Sequence, residues 1–255
     1  MRLSQSAKTV YEKCTRLDKV SALAYNESFP KDRFGRSRRV ETMKSVILFD
    51  FDGTVYDTLE GITKSVQYAL RKHGWDEELG ELRCFAGPPL VDMFMERYGV
   101  DRALGEQMTR EFRERYKPVG IYESRVFPGV KELLIALRQA GKRIGLATSK
   151  PERMARELLA RENMLELFEV IAGSEEAGNN NAKWQVICRA MEALNARPED
   201  TILVGDTKYD VAGAQRVGIP CVGVSYGYAA PGELEAAGAV AVLPDCPALL
   251  QYLLE

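Results

Sequence analysis

The sequence predicts an α/β protein: a doubly wound parallel sheet with a small all-helical cap inserted after its first strand. Three observations carry that expectation. Short apolar runs alternate with amphipathic helical patterns through most of the chain. The rhythm breaks once, between about Thr58 and Ser124, where only helical patterns occur. Polar residues suited to one chemistry also follow three of the runs, where such sheets bind ligands.

The 255 residues are 45% hydrophobic and 28% charged, with a formal charge of −2. That suffices for one large domain with a small insert. No run of about 18 apolar residues occurs, so no membrane-spanning helix and no membrane partner are expected. The near-neutral charge gives no reason to expect nucleic acid. Five scattered cysteines (Cys14, Cys84, Cys188, Cys221, Cys246) contain no C-x-x-C pair. This argues against a disulfide scaffold or a zinc site and for a reducing cytoplasm. They read as small buried hydrophobes.

Residues 1–44 hold 11 Lys/Arg against 5 Asp/Glu, whereas the remainder holds 24 against 32. The segment lacks the apolar stretch of a secretory signal and is too acidic for a transit peptide. It reads as a basic, flexible extension, or as sequence upstream of a true start at Met43. The core is expected over 45–57 and 125–255, and the cap over 58–124.

The strand candidates are 45–49, 143–148, 168–173, 201–205 and 221–226, with 239–243 a sixth. In the cap, "TLEGITKSVQYALRKHG" places Ile62, Val66, Ala69 and Leu70 on one face and stops at Gly74. Met93, Phe94 and Met95 read as cap packing, and His73 and Trp184 as structural. "FPGV" (127–130) marks the return to the core, and "VKELLIALRQAG" is a helix with Leu133, Leu134 and Leu137 inward and Gly141 as its stop. In "SKPERMARELLA" Ser149 and Glu152 form an expected capping box, with Pro151 tolerated in the first turn.

The first strand delivers Asp50 and Asp52, the second Thr148 and Ser149, and "TILVGDTKYD" delivers Asp206, with Asp210 one helical turn further on. Lys183 opens the next helical pattern and supplies a cation. Carboxylates converging at one edge repel, but they make an oxygen cage for a hard divalent cation. Mg²⁺ takes one or two carboxylates, keeps waters and uses substrate phosphate for the rest. An aspartate attacking phosphorus splits one displacement into two, while a second carboxyl protonates the leaving alcohol and then activates water. His73 is the sole histidine, so a Ser-His-Asp triad is not expected.

At these residues the chain resembles the haloacid dehalogenase superfamily of phosphotransferases. "DFDGTV" matches its first motif, "LATS" its second, Lys183 its third and "GDTKYD" its fourth, in order, over roughly residues 45–255. The resemblance implies Asp50 as nucleophile and Asp52 as acid/base. It implies Thr148 and Lys183 as phosphate binders and Asp206 as a Mg²⁺ ligand, with Asp210 in support. Asp50, Asp52, Asp206 and Asp210 are the expected metal set, and Gly53, Thr54, Ser149, Gly87 and Pro88 the expected substrate contacts. Gly53 would also permit a tight turn beside the metal.

"EGITKSVQYAL", "FAGPPLVDMF", "FPGVKELL", "ATSKPE" and "VSYGYA" resemble the 5′-nucleotidase and phosphoglycolate phosphatase-like branch. Two departures touch substrate-facing loops: the asparagines of "SEEAGNNNAKW" and Ala229 where glycine is common. The expected protein is a cytoplasmic, Mg²⁺-dependent phosphomonoester hydrolase, a monomer or homodimer. Its substrate would be a small phosphorylated metabolite, a nucleoside monophosphate or 2-phosphoglycolate. The alternatives are a sugar-phosphate phosphomutase and a non-catalytic phosphometabolite-binding protein. A dehalogenase is disfavoured, since that chemistry has no use for Asp52 or the acids around Asp206.

Overall fold

The computed structural model describes residues 44–174 and 182–255. The basic extension, Cys14 and the asparagines of the "SEEAGNNNAKW" loop fall outside them.

Strand β1 (Val46–Phe49) lies at the centre of a six-stranded parallel sheet. With β4 (Arg143–Pro151), β5 (Val170–Ser174), β6 (Thr201–Gly205), β7 (Cys221–Val224) and β8 (Ala241–Leu243), the order is β5-β4-β1-β6-β7-β8. Both faces of β1 are buried, and its alternation decides which residue meets which layer. Ile47 and Phe49 join one apolar cluster with Leu133 and Leu134 of α4 (Val130–Gln139), Leu158 of α5 (Glu152–Arg161) and Leu249 of α9 (Cys246–Leu254). Val46 and Leu48 join the other, with Ile187 of α6 (Lys183–Ala193), Val211 of α7 (Lys208–Val217) and Leu234 of α8 (Glu233–Ala237). The sheet is therefore covered on both faces, the doubly wound arrangement expected.

The chain leaves β1, makes the two-residue strand β2 (Tyr56–Asp57) and enters the helical insert. It returns through β3 (Arg125–Val126), which pairs antiparallel with β2. These short strands were absent from the expectation, because two residues are too few to show a period. Between them run α1 (Leu59–Arg71), α2 (Leu90–Tyr98) and α3 (Arg102–Tyr116), with 3₁₀ turns at Leu79–Phe85 and Gly120–Tyr122. Ile62, Val66, Ala69 and Leu70 of α1 are buried as read. They pack with Phe85, Phe94, Met108 and Phe112 in a layer continuous with the core beneath. Close approach of α1 to the 120–122 turn requires Gly61, since a Cβ there would lie 1.9 Å from the Gly120 carbonyl oxygen.

Three local expectations are corrected. Strand β4 runs on through Ser149 to Pro151, because Pro151 still pairs with Ser174 beyond a register shift. Ser149 is thus extended backbone, and α5 begins after Pro151 without a side-chain cap. The expected strands 221–226 and 239–243 are shorter, at Cys221–Val224 and Ala241–Leu243, the first ending where residues 225–226 turn. Cys221 and Cys246 are buried free thiols, but Cys84 is exposed. The structural reading of His73 and Trp184 is matched by their contacts: His73 Nε2 lies 2.7 Å from Glu111 Oε2, and Trp184 stacks beneath Arg216.

Leu134 is fully buried between α4 and the sheet. Leu134→Ala is expected to lower unfolding stability by about 2–5 kcal/mol, read as a fall in the urea midpoint at unchanged slope.

Candidate active site

Asp50 follows β1 directly, its amide donating to the Val204 carbonyl of β6 (2.9 Å), so the strand pairing itself aims it at the sheet's carboxyl edge. Asp206 follows β6 in the same way, and Asp210 sits in the first turn of α7. Carboxylate oxygens of these three residues lie within 4.8 Å of one another. Asp206 and Asp210 are almost completely buried.

Two partners make that burial tolerable. Lys183 Nζ lies 2.6 Å from Asp50 Oδ1 and 2.6 Å from Asp210 Oδ1. Asp210 Oδ2 accepts from the amides of Asp206 (3.2 Å) and Thr207 (3.0 Å) and from the Thr207 hydroxyl (2.9 Å). Asp210 therefore shapes the loop that carries Asp206. On Asp206, Oδ1 accepts from the Thr54 hydroxyl (3.1 Å) and Oδ2 from the Tyr228 amide (2.9 Å).

Charge remains unbalanced, three carboxylates facing one ammonium. Burial pushes the Asp50 carboxyl from its ordinary 3.8 up to about 7; Lys183 opposes the rise, and the negative charges of Asp210 and Asp52 add to it. Burial likewise raises Asp206 well above the carboxylate range, with Asp210 and Asp50 adding to the effect. Burial alone would depress the Lys183 ammonium, but Asp210 and Asp50 overcome it, so its pKa is raised.

These residues fit a divalent cation. Asp50 Oδ1 is buried, and although the Lys183 ammonium is close, the oxygen receives no well-directed hydrogen bond. An orphaned buried oxygen beside a second, protonation-prone carboxylate is the environment a hard cation relieves.

The Asp52 carboxylate lies outside the group formed by the carboxylates of Asp50, Asp206 and Asp210. Its Oδ1 is held 3.0 Å from the ammonium of Lys150 instead. Thr148 is buried at the end of the second motif, and its hydroxyl oxygen accepts from the Lys150 amide (3.1 Å), leaving its proton for another acceptor. Ser149 is exposed, because its neighbours on β4 take the inward positions. Gly87 is exposed in the cap with φ +109, and a Cβ there would sit 3.4 Å from Thr207 Cγ2. The "GPPL" loop, including the half-buried Pro88, therefore reaches the loop of Asp206.

Gly53 has φ +86, and a Cβ on it would lie 2.0 Å from Asp206 Oδ2. Gly205 is equally confined, since a Cβ there would meet Asp210 Cβ at 2.4 Å. Sequence reasoning missed Lys150, Tyr116 and Tyr228. Lys150 and Tyr228 stand inside quoted motifs, which is a usable signal. Tyr116 had none beyond its helical spacing.

The family model of haloacid dehalogenase-like hydrolases matches residues 47–224, which span every one of the acids and both lysines. The chain belongs to this family. The hydrolase is 41% identical to the 5′-nucleotidase of Pseudomonas aeruginosa over 208 residues, 81% of this chain and 94% of that one. It is 35% identical over 72% of its length to the tyrosine-protein kinase PtkA of Mycobacterium tuberculosis, covering 62% of that protein. It also superposes on the crystal structure of a predicted phosphatase from Clostridium acetobutylicum with a TM-score of 0.80. That pair is 37% identical and covers 84% of this chain and 99% of the other.

Gly53→Ala is expected to displace Asp206 and to abolish the rise in melting temperature that added Mg²⁺ is expected to give the parent chain. A second expectation concerns pH. Asp50 keeps its proton up to about 7 when folded but releases it near 3.8 when unfolded. Between those values the folded state binds more protons, so stability falls as pH rises through the window. Thermal melts of the metal-free hydrolase should show that fall, and added Mg²⁺ should raise the midpoint more at the top of the window than at the bottom. A flat profile would count against a buried, protonated Asp50.

Proposed function

We propose that the hydrolase removes the phosphoryl group from small phosphomonoesters by way of an aspartyl-phosphate on Asp50, with Mg²⁺ as cofactor. Nucleoside monophosphates are the leading substrate class and 2-phosphoglycolate the second. The observation that carries this reading is Asp50 Oδ1, which is buried, lacks a well-directed hydrogen bond and lies within reach of Lys183 and two further carboxylates. The relative named 5′-nucleotidase, at 41% identity, supports the first class. A relative named phosphoglycolate phosphatase from Pseudomonas putida, at 28%, supports the second.

Asp50 and Asp206 would hold the cation, with Asp210 fixing their loop. When bound, Mg²⁺ would neutralise charge on the three carboxylates and on the phosphate oxygens. Thr148 offers a hydroxyl proton and Lys183 an ammonium to those oxygens. The Asp50 carboxylate attacks phosphorus; the new bond to its oxygen forms as the ester P–O bond breaks. Asp52 gives its proton to the departing alkoxide. It then takes a proton from a water that attacks the aspartyl-phosphate, which frees inorganic phosphate and regenerates Asp50. Such acid–base assistance typically contributes about 10²–10⁴-fold. Asp50, Asp52 and Lys183 are all present, which favours turnover over a purely binding role.

Phosphate release from nucleoside monophosphates, 2-phosphoglycolate and hexose phosphates tests the reading. Release should need Mg²⁺, stop with chelator, and vanish in Asp50→Asn, which should still fold. Comparable turnover by Asp50→Asn would sink the covalent route, and failure of every ester would sink the hydrolase reading.

A further inference from the structure

Lys150 stands inside the "ATSKPE" stretch, but the mechanism above gives it no role. It is 5% exposed, one of few lysines so deeply buried among the described residues. Burying an ammonium is costly unless its charge has work to do. Its neighbours show what that work is. Its Nζ lies 3.0 Å from Asp52 Oδ1 and donates to the Tyr116 hydroxyl at 2.5 Å. It also sits over the rings of Tyr116 (5.0 Å) and Phe51 (5.7 Å). Its own amide donates to Thr148 Oγ1.

Those partners come from three places. Asp52 and Phe51 belong to the loop after β1, Thr148 to the end of β4, and Tyr116 to the last turn of α3 in the cap. One residue thus binds the acid/base carboxylate through its side chain and the phosphate-binding hydroxyl through its backbone. Its remaining partner arrives only when the cap lies against the core. Asp52 stands outside the cluster of Asp50, Asp206 and Asp210, and the one ion pair of its carboxylate among the described residues is with Lys150.

We infer that Lys150 is a positioning residue that holds Asp52 for the leaving group, and that Tyr116 makes this placement depend on the docked cap. The inference rests on the proposed hydrolase function and assigns it a device for coupling cap docking to proton transfer. Water is then denied a competent acid/base until the cap has covered the site.

The test uses two esters that differ in their need for a proton. An alkyl phosphate such as a nucleoside 5′-monophosphate must have its leaving oxygen protonated, whereas p-nitrophenolate departs as a stable anion. The ratio of kcat/KM for the two esters reads the step in which Asp52 acts as acid, since water activation comes after alcohol release. In Lys150→Met the ratio should fall about 10- to 100-fold, the loss falling on the alkyl ester. Tyr116→Phe, which removes one hydroxyl and keeps the ring, should shift the ratio the same way by less. Should Lys150→Met fail to fold by circular dichroism, Tyr116→Phe decides alone. Equal loss on both esters, or an unmoved ratio, overturns the assignment of Lys150 while leaving the hydrolase function standing. Absence of turnover by the parent chain on any ester overturns both.

Discussion

The structure depends on one electrostatic problem: three carboxylates buried against one another at the carboxyl edge of a parallel sheet. Left alone, Asp50, Asp206 and Asp210 would repel, and burial would drive protons onto them. Lys183 answers part of that cost by touching two of them. The backbone answers another part through the three donors on Asp210 Oδ2. What remains is the imbalance that a divalent cation and a phosphate would complete. The site is destabilising by itself, and its tolerance depends on the rigid, doubly covered sheet behind it.

That constraint explains residues with no chemistry of their own. Gly53 and Gly205 lack side chains because Asp206 and Asp210 fill the space a Cβ would need. Gly213 lacks one because Lys183 passes over it, a Cβ there lying 2.8 Å from Lys183 Cγ. The path of the lysine to the acids therefore crosses α7 at a glycine.

A second set of contacts ties the cap to this edge. The Tyr228 hydroxyl accepts from the Thr58 amide at 2.6 Å, where the cap begins, while the Tyr228 amide binds Asp206. Tyr226 donates to the Thr54 carbonyl at 3.0 Å. Lys150 and Tyr116 join the far end of the cap to Asp52. The beginning of the insert and the last turn of α3 are both in contact with residues of the candidate site.

Much of this was written in the sequence itself. The unbroken apolar run of β1 announced a buried strand, and the helical stripe of Ile62, Val66, Ala69 and Leu70 announced the inner side of a cap helix. Asp50, Thr148, Lys183, Asp206 and Asp210 could be picked out because each ends or follows an apolar run or lies in the first turn of a helix, where local chain direction constrains side-chain direction. Local pattern stops where a role is set by a partner distant in sequence. Asp52 looked like a fourth member of the acid cluster, and only the fold turned it toward Lys150, 98 residues away. Ser149 looked like a helix cap until the pairing of Pro151 with Ser174 carried β4 past it as extended backbone. The sequence by itself determined the sheet, the helical insert and the identity of the acids, because these follow from periodicity and strand ends. Tertiary structure decided which acid faces which cation, because that depends on where separate strand ends and a cap helix meet.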